Sequence, residues 1–115
     1  MTRHDDRTRL RHMLDYAEEA VSLAQGRQRS DFDTDRLLRH ALTRVVEVVG
    51  EAAAHISEPL RQAHTSIAWG EIVGLRNRLI HGYDQVDLDV LWQIVQGDLP
   101  PLIVDLKAIL RSLGP

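Results

Sequence analysis

Two windows of this chain repeat aliphatic side chains at a helical period, and that rules out most folds at once. Leu10, Met13, Leu14, Ala17, Val21 and Ala24 fall at the i, i+3, i+4, i+7 spacing of one helix face. Leu38, Leu42, Val45, Val49, Ala52 and Ile56 do the same. Stripes of this width must pack against other helices. The spacing predicts a first helix over about residues 5–25, ended by Gly26, and a second over about residues 35–56. Within the second, VVEVVG is β-branched and taken alone would suit a strand. The 3.6-residue period continues on both sides of it, so the helical reading stands. Gly50 costs that helix about 1 kcal/mol relative to Ala, a cost that a close helix crossing would explain.

Between these helices, GRQRSDFDTD is a polar connector with several candidate N-caps at its end. Ser57 to His64 reads as a turn with a short helix, and Pro59 suits its first turn. A third helix is expected over about residues 69–81. YDQVDLD then reads as a loop, with Asp87 as the candidate N-cap of a last helical region over about residues 88–113. Pro100 and Pro101 must kink or break that region near Asp98. No strand, repeat, linker or low-complexity segment stands out. Four long helices with short connections describe an all-α antiparallel bundle, and 115 residues suit one domain. Aromatic residues make up only 4%, so the core must be aliphatic, and a bundle this small often gains stability by dimerising.

Composition excludes several classes of function. There is no cysteine, so neither a disulfide framework nor a thiolate metal site is possible. No apolar run is long enough to span a bilayer. MTRHDDRTRLRH lacks the apolar segment of a secretion signal, and a cytoplasmic location is the expectation. A formal net charge of -3 exerts no global pull on nucleic acid, so any such binding needs a local basic patch. The cations are arginine apart from Lys107; arginine suits phosphate, although genomic codon bias gives the same excess. His4, His12, His40, His55 and His64 are scattered without metal-ligand spacing. His12 with Arg7, Arg9 and Arg11 makes a local basic patch, which as a charged helix face needs no ligand. Neither a P-loop nor GxGxxG occurs, and no Ser or Cys nucleophile constellation.

One stretch, RNRLIHGY from Arg76 to Tyr83, is anomalous. At about 100° per residue, Ile72, Leu75 and Leu79 share one arc of the third helix, and Val73 and Ile80 extend it. Arg76 falls between these two groups. An arginine there needs a carboxylate, a cleft or a subunit interface, and Glu47 or Glu51 could supply the carboxylate. Asn77 and His81 are i, i+4 neighbours at the edge of the arc. Gly82 is placed to be the helix C′ residue, with Tyr83 just beyond.

RNRLIHGY resembles the R-x4-H-x-Y motif of the HEPN superfamily, in its HepT-like branch. LLRHALTRVVEVVGEAA, AWGEIVGLRNRLIHGY and VDLDVLWQIVQGDLPPL agree in order with that family, and the likeness is clearest from Leu37 to Leu102. Ala68 stands where a proline often precedes the tryptophan in similar sequences. The resemblance implies a single HEPN-like domain over residues 1–115, a helical bundle that dimerises through the motif helices. It implies a metal-independent endoribonuclease toxin of a type VII-like toxin–antitoxin pair, with no cofactor. Its partner would be an MntA-type nucleotidyltransferase antitoxin, alone or in a larger hetero-oligomer, that silences the toxin by AMPylating the motif tyrosine. Carried over, Arg76 and His81 would be catalytic, Asn77 an accessory polar residue and Tyr83 the AMPylated one.

The residue types suit that chemistry. Metal-free RNA cleavage uses the substrate's 2′-hydroxyl as nucleophile. It needs a base, an acid and positive charge on the phosphate. Histidine serves as acid or base near neutrality, worth roughly 10²–10⁴-fold. Arginine can clamp phosphate oxygens and stabilise the charge that develops there. One histidine cannot comfortably fill both proton roles, so a second His81 across a two-fold axis is expected. Arg78 could add a phosphate contact or stand as a solvated helix residue.

Each residue has a duller explanation: a structural ion pair for Arg76, a helix-dipole contact for His81, a packed ring for Tyr83. Besides the ribonuclease, two other classes stay open. One is a catalytically silent HEPN module that binds nucleotide or RNA beside a nucleotidyltransferase. The other is a structural dimerisation module.

Overall fold

The computed structural model describes residues 3–114, with side chains from Asp5 onward. The elements run α1 (Arg3–Ala24), α2 (Asp31–Thr34), α3 (Arg36–Ala54), α4 (Glu58–Ala63), α5 (Trp69–Val73) and α6 (Leu75–Leu79). A hairpin of β1 (Ile80–His81) and β2 (Gln85–Val86) follows. Then come α7 (Leu88–Gln93), a π-helical turn (Ile94–Asp98) and α8 (Leu99–Ser112). The fold is the expected all-α one, with a two-stranded ribbon added.

α1 packs against both α3 and α8, and α3 also packs against α5, α6 and α7. The two stripes read from sequence are the centre of the core. Leu10, Met13, Leu14, Ala17 and Ala24 are buried, as is the whole run Leu38, Leu42, Val45, Val49, Ala52 and Ile56. α3 opens on Asp35, whose side chain accepts the Leu38 amide at 3.0 Å. A cap of this kind is worth about 1 kcal/mol. Gly50 does mark a close crossing: a Cβ there would lie 3.0 Å from the Ile72 carbonyl oxygen and 3.7 Å from Leu75 Cβ. The crossing presses α5 and α6 onto α3, so it fixes where Arg76 stands.

The connector is not wholly irregular. α2 forms within it because Phe32 is buried, packed edge-to-face on Trp92 with ring centroids 5.4 Å apart. Arg29 Nε donates to Asp89 at 2.7 Å and Nη1 to Asp33 at 3.1 Å, tying the connector to α7. Those two bonds, Asp89's first, raise its guanidinium pKa above the ordinary arginine value. α4 begins with Pro59 in its first turn, as expected.

Two expectations are corrected. The third helix is not continuous to His81: it breaks at Gly74 and ends at Leu79. Gly74 is a poor helix former, and β-branched Ile80 turns extended at φ -108°, ψ 124°. Asn77 and His81 are therefore not neighbours on a helix. Second, YDQVDLD is not all loop. Ile80 pairs with Val86 and His81 with Gln85, and the Asp87 amide closes the base on the Leu79 carbonyl at 2.8 Å. Gly82 has φ +76° in the hairpin turn rather than at a helix end. The last helical region is interrupted near Asp98, just before its prolines, as expected. Pro100 and Pro101 carry no N–H to continue the i to i−4 ladder. The preceding turn widens, and the Leu99 amide reaches Ile94 O, five residues back. Among the described residues, no helix is long and apolar enough to cross a membrane.

Candidate active site

Arg76 stands on α6, and its Nε donates to Glu47 Oε2 at 3.0 Å. Of the two carboxylates foreseen, Glu47 takes the role; Glu51 accepts from Arg44 at 3.2 Å instead. Glu47 is only 16% exposed, whereas Arg76 is 60% exposed. The carboxylate is thus the anchored partner and the guanidinium the presented one. Nη1 and Nη2 have no protein partner among the described residues, which leaves a fork of donors open.

That fork borders a cleft of about 800 Å³. α3 contributes Arg36, Arg39, His40, Thr43, Arg44 and Glu47 to its lining. The other side brings Arg76 with Ile80, Val86 and Leu88, and the hairpin turn adds Tyr83 and Asp84. Four arginines therefore face two carboxylates, in a chain whose formal net charge is -3. This is the local basic patch that nucleic-acid binding would require. Tyr83 sits in the turn 94% exposed, with its ring open to solvent.

His81 is placed differently. Successive strand residues point to opposite sides, so with Ile80 in the cleft lining, His81 is not part of it. Its side chain is 62% exposed, and Nε2 lies 3.6 Å from Asp87 Oδ2. Asp87 is itself held: Oδ1 accepts the Val90 amide at 3.1 Å as the N-cap of α7. Of the motif residues, Arg76 on α6 and Tyr83 in the hairpin turn line the cleft, and His81 does not.

Comparison with known proteins places this arrangement. A family model described as "Ribonuclease HepT-like" matches residues 13–109. The chain belongs to the HepT-like ribonuclease family. The protein named "Putative RNase MJ1380" from Methanocaldococcus jannaschii is 30% identical over 109 residues, covering 95% of this chain and 100% of its own. "Putative RNase TTE0752" from Caldanaerobacter subterraneus is 32% identical over 103 residues, 90% of this chain and 92% of its own. "Probable ribonuclease HepT" from Thermococcus cleftensis is 37% identical over 95 residues, 76% of this chain and 86% of its own. No solved structure matches the chain.

The remaining candidates of this HepT-like chain lie outside the cleft lining. Asn77 is exposed on α6 and does not line it. Arg78 does not line it either; its Nη1 donates to Asp98 at 3.0 Å, joining α6 to the π-helical turn. Among the described residues no group of three His, Cys, Asp or Glu is placed to hold a metal ion. The side chain of His4 lies outside the described ones.

The α3 row was the feature overlooked. Arg36, His40 and Arg44 recur at i, i+4, i+8, the spacing of one helix ridge, and Glu47 continues it. The signal was visible, but a charged helix face is ordinarily just solvated.

Proposed function

We propose that this HepT-like chain is a metal-independent endoribonuclease toxin in which Arg76 and His81 act on the scissile phosphate and Tyr83 is the regulatory residue. The observation that carries the reading is the cleft in which the family's motif arginine and tyrosine meet three further arginines. In the proposed step His81 takes the proton of a 2′-hydroxyl, whose oxygen attacks the adjacent phosphorus. Arg76, steadied by Glu47, neutralises the charge that develops on the phosphoryl oxygens. The 5′-oxygen leaves with a proton from a second acid, giving a 2′,3′-cyclic phosphate and a 5′-hydroxyl.

That second acid is the reason for a dimer. Within one chain His81 is not among the residues that line the Arg76 cleft, and apposing a partner's motif face would assemble base, acid and arginine. On this reading the 115 residues act as one domain, Asn77 is accessory, and the toxin works in the cytoplasm. Its antitoxin is an MntA-type nucleotidyltransferase. Tyr83, 94% exposed on the cleft rim, is open to AMPylation. An attached phosphate there meets the same cations that would hold RNA.

The second reading, a catalytically silent module that binds nucleotide or RNA beside a nucleotidyltransferase, is favoured by one observation: His81 is outside the cleft. Expression of wild type and His81→Ala without the partner separates the two. Growth arrest and RNA ends bearing a cyclic phosphate, produced in EDTA by wild type alone, support the ribonuclease. A wild type that is inert and carries no AMP-sized mass on Tyr83 supports the silent module. Tyr83→Phe should stay toxic when the nucleotidyltransferase is co-expressed; restored growth would remove Tyr83 from the regulation.

A further inference from the structure

We propose that the α3 ridge of Arg36, His40 and Arg44 is a phosphate track for single-stranded RNA that leads to Arg76, an inference that rests on the ribonuclease reading. The ridge advances from residue 36 to residue 44 over about 12 Å, at 1.5 Å per residue. Its next member is Glu47, the carboxylate that holds Arg76. The row of cations therefore runs without interruption into the motif arginine. No acidic residue occurs on α3 between Asp35 and Glu47.

The partners of these side chains leave them available. Among the described residues, Arg36 Nε donates to His40 Nε2 alone, at 3.3 Å. Arg44 pairs with Glu51 across two exposed side chains, a contact that a phosphate can replace. Arg39 lines the same cleft but is spent: its Nη1 donates to the carbonyls of Phe32 and Asp33, at 3.2 and 3.0 Å, and closes α2. Beside the ridge, Thr43 lines the same cleft.

The opposite lining favours RNA over an acidic protein segment. Ile80, Val86 and Leu88 are apolar, and Tyr83 offers an exposed ring at the rim. Cations along one side for the backbone, with aliphatic and aromatic surface along the other for bases, are the combination that binds single strands.

The test is binding of a labelled 2′-O-methyl oligoribonucleotide, which lacks the attacking hydroxyl, to wild type, Arg36→Gln/Arg44→Gln and Arg61→Gln across a salt series. Each lost phosphate contact lowers the slope of log K against log salt by about 0.7 for single strands, so the double variant should lose about 1.4. Its affinity should fall at least tenfold. On cleavable RNA its KM should rise while kcat stays within about twofold. Arg61→Gln, outside the cleft and bonded to the Ile56 and Ala54 carbonyls, should lower the melting temperature and leave the slope alone. A double variant that folds and keeps the wild-type slope overturns the track, although cleavage by wild type would still stand. The same overturning follows if it loses only the binding of an acidic protein. A wild type that neither binds nor cleaves RNA removes the ribonuclease reading and the track with it.

Discussion

Ile80 and His81 are adjacent in β1, yet Ile80 lines the arginine-rich cleft and His81 does not. Within one chain the cleft thus holds the motif arginine and not the motif histidine. His81 is 62% exposed, and its Nε2 lies 3.6 Å from Asp87 Oδ2. Removing its side chain should cost no more than about 0.5 kcal/mol, as at other surface positions. If His81 moves the proton, His81→Ala should lower RNA cleavage by roughly 10²–10⁴-fold with an unchanged melting curve. Single-turnover cleavage and thermal melting read the two effects separately. Equal losses in both would make the histidine structural.

If a second chain completes the site, Val73 is the residue that tests it. It is an exposed apolar side chain on α5, 36% exposed, just before the break at Gly74. Val73→Arg should leave the fold intact, since the position is open to solvent. If the motif helices face each other across the two-fold axis, two arginines would then be brought together, and like charges repel strongly at a desolvated contact. Sedimentation should show a monomer, and cleavage should vanish with the dimer. An active monomer would sink the shared-site mechanism.

Glu47 separates placement from stability. Its bond to Arg76 is half solvated, and such pairs contribute under about 1 kcal/mol. Glu47→Ala should therefore melt within a few degrees of wild type. It should nonetheless cleave about tenfold more slowly or worse, because an unanchored guanidinium is no longer held at the phosphate. Glu47→Gln keeps an acceptor for Arg76 Nε and should recover most of the rate. Wild-type cleavage by Glu47→Ala would show that Arg76 needs no anchor.

Asp87 carries two jobs on two oxygens: the α7 cap through Oδ1 and the approach to His81 through Oδ2. Asn ranks with Asp as an N-cap, whereas Ala forfeits about 1 kcal/mol. Asp87→Ala should thus lower both the melting temperature and cleavage. Asp87→Asn should keep the melting temperature and lose cleavage alone. If Asp87→Asn cleaves like wild type, the residue is a cap and nothing more.

The long helices were legible because their stripes repeat over many turns; Leu38 to Ile56 allows no other packing. The hairpin was not. Ile80–His81 and Gln85–Val86 are too short to show a period of two, and a positive φ at Gly82 serves a helix end as well as a turn. The motif was legible as a string, but its geometry was not, since the side to which His81 points depends on where α6 stops. The ridge of Arg36, His40 and Arg44 could be read as a helix face. It becomes a site only when α6 brings in Arg76 from 29 residues beyond Glu47, a long-range pairing with no local signal.

Gly50 links the core to that pairing, and its replacement sets two known effects against each other. In an open helix, Gly→Ala gains about 1 kcal/mol. Here the new Cβ would stand 3.0 Å from the Ile72 carbonyl oxygen. That oxygen is backbone and cannot rotate aside, and it also accepts the Gly74 amide at the end of α5. Overpacking of this kind costs about 1–3 kcal/mol. Gly50→Ala should therefore be destabilised by up to about 2 kcal/mol, read as a drop of several degrees in melting temperature. The relief available is a shift of α5 and α6 away from α3, which lengthens the Arg76–Glu47 contact. Cleavage should thus fall further than the stability loss alone implies. Gly97 is the control: a Cβ there meets nothing within 4 Å, so Gly97→Ala should not lower the melting temperature. A Gly50→Ala protein as stable and active as wild type would mean that α5 yields without moving Arg76, and the crossing would lose its role in placing the site.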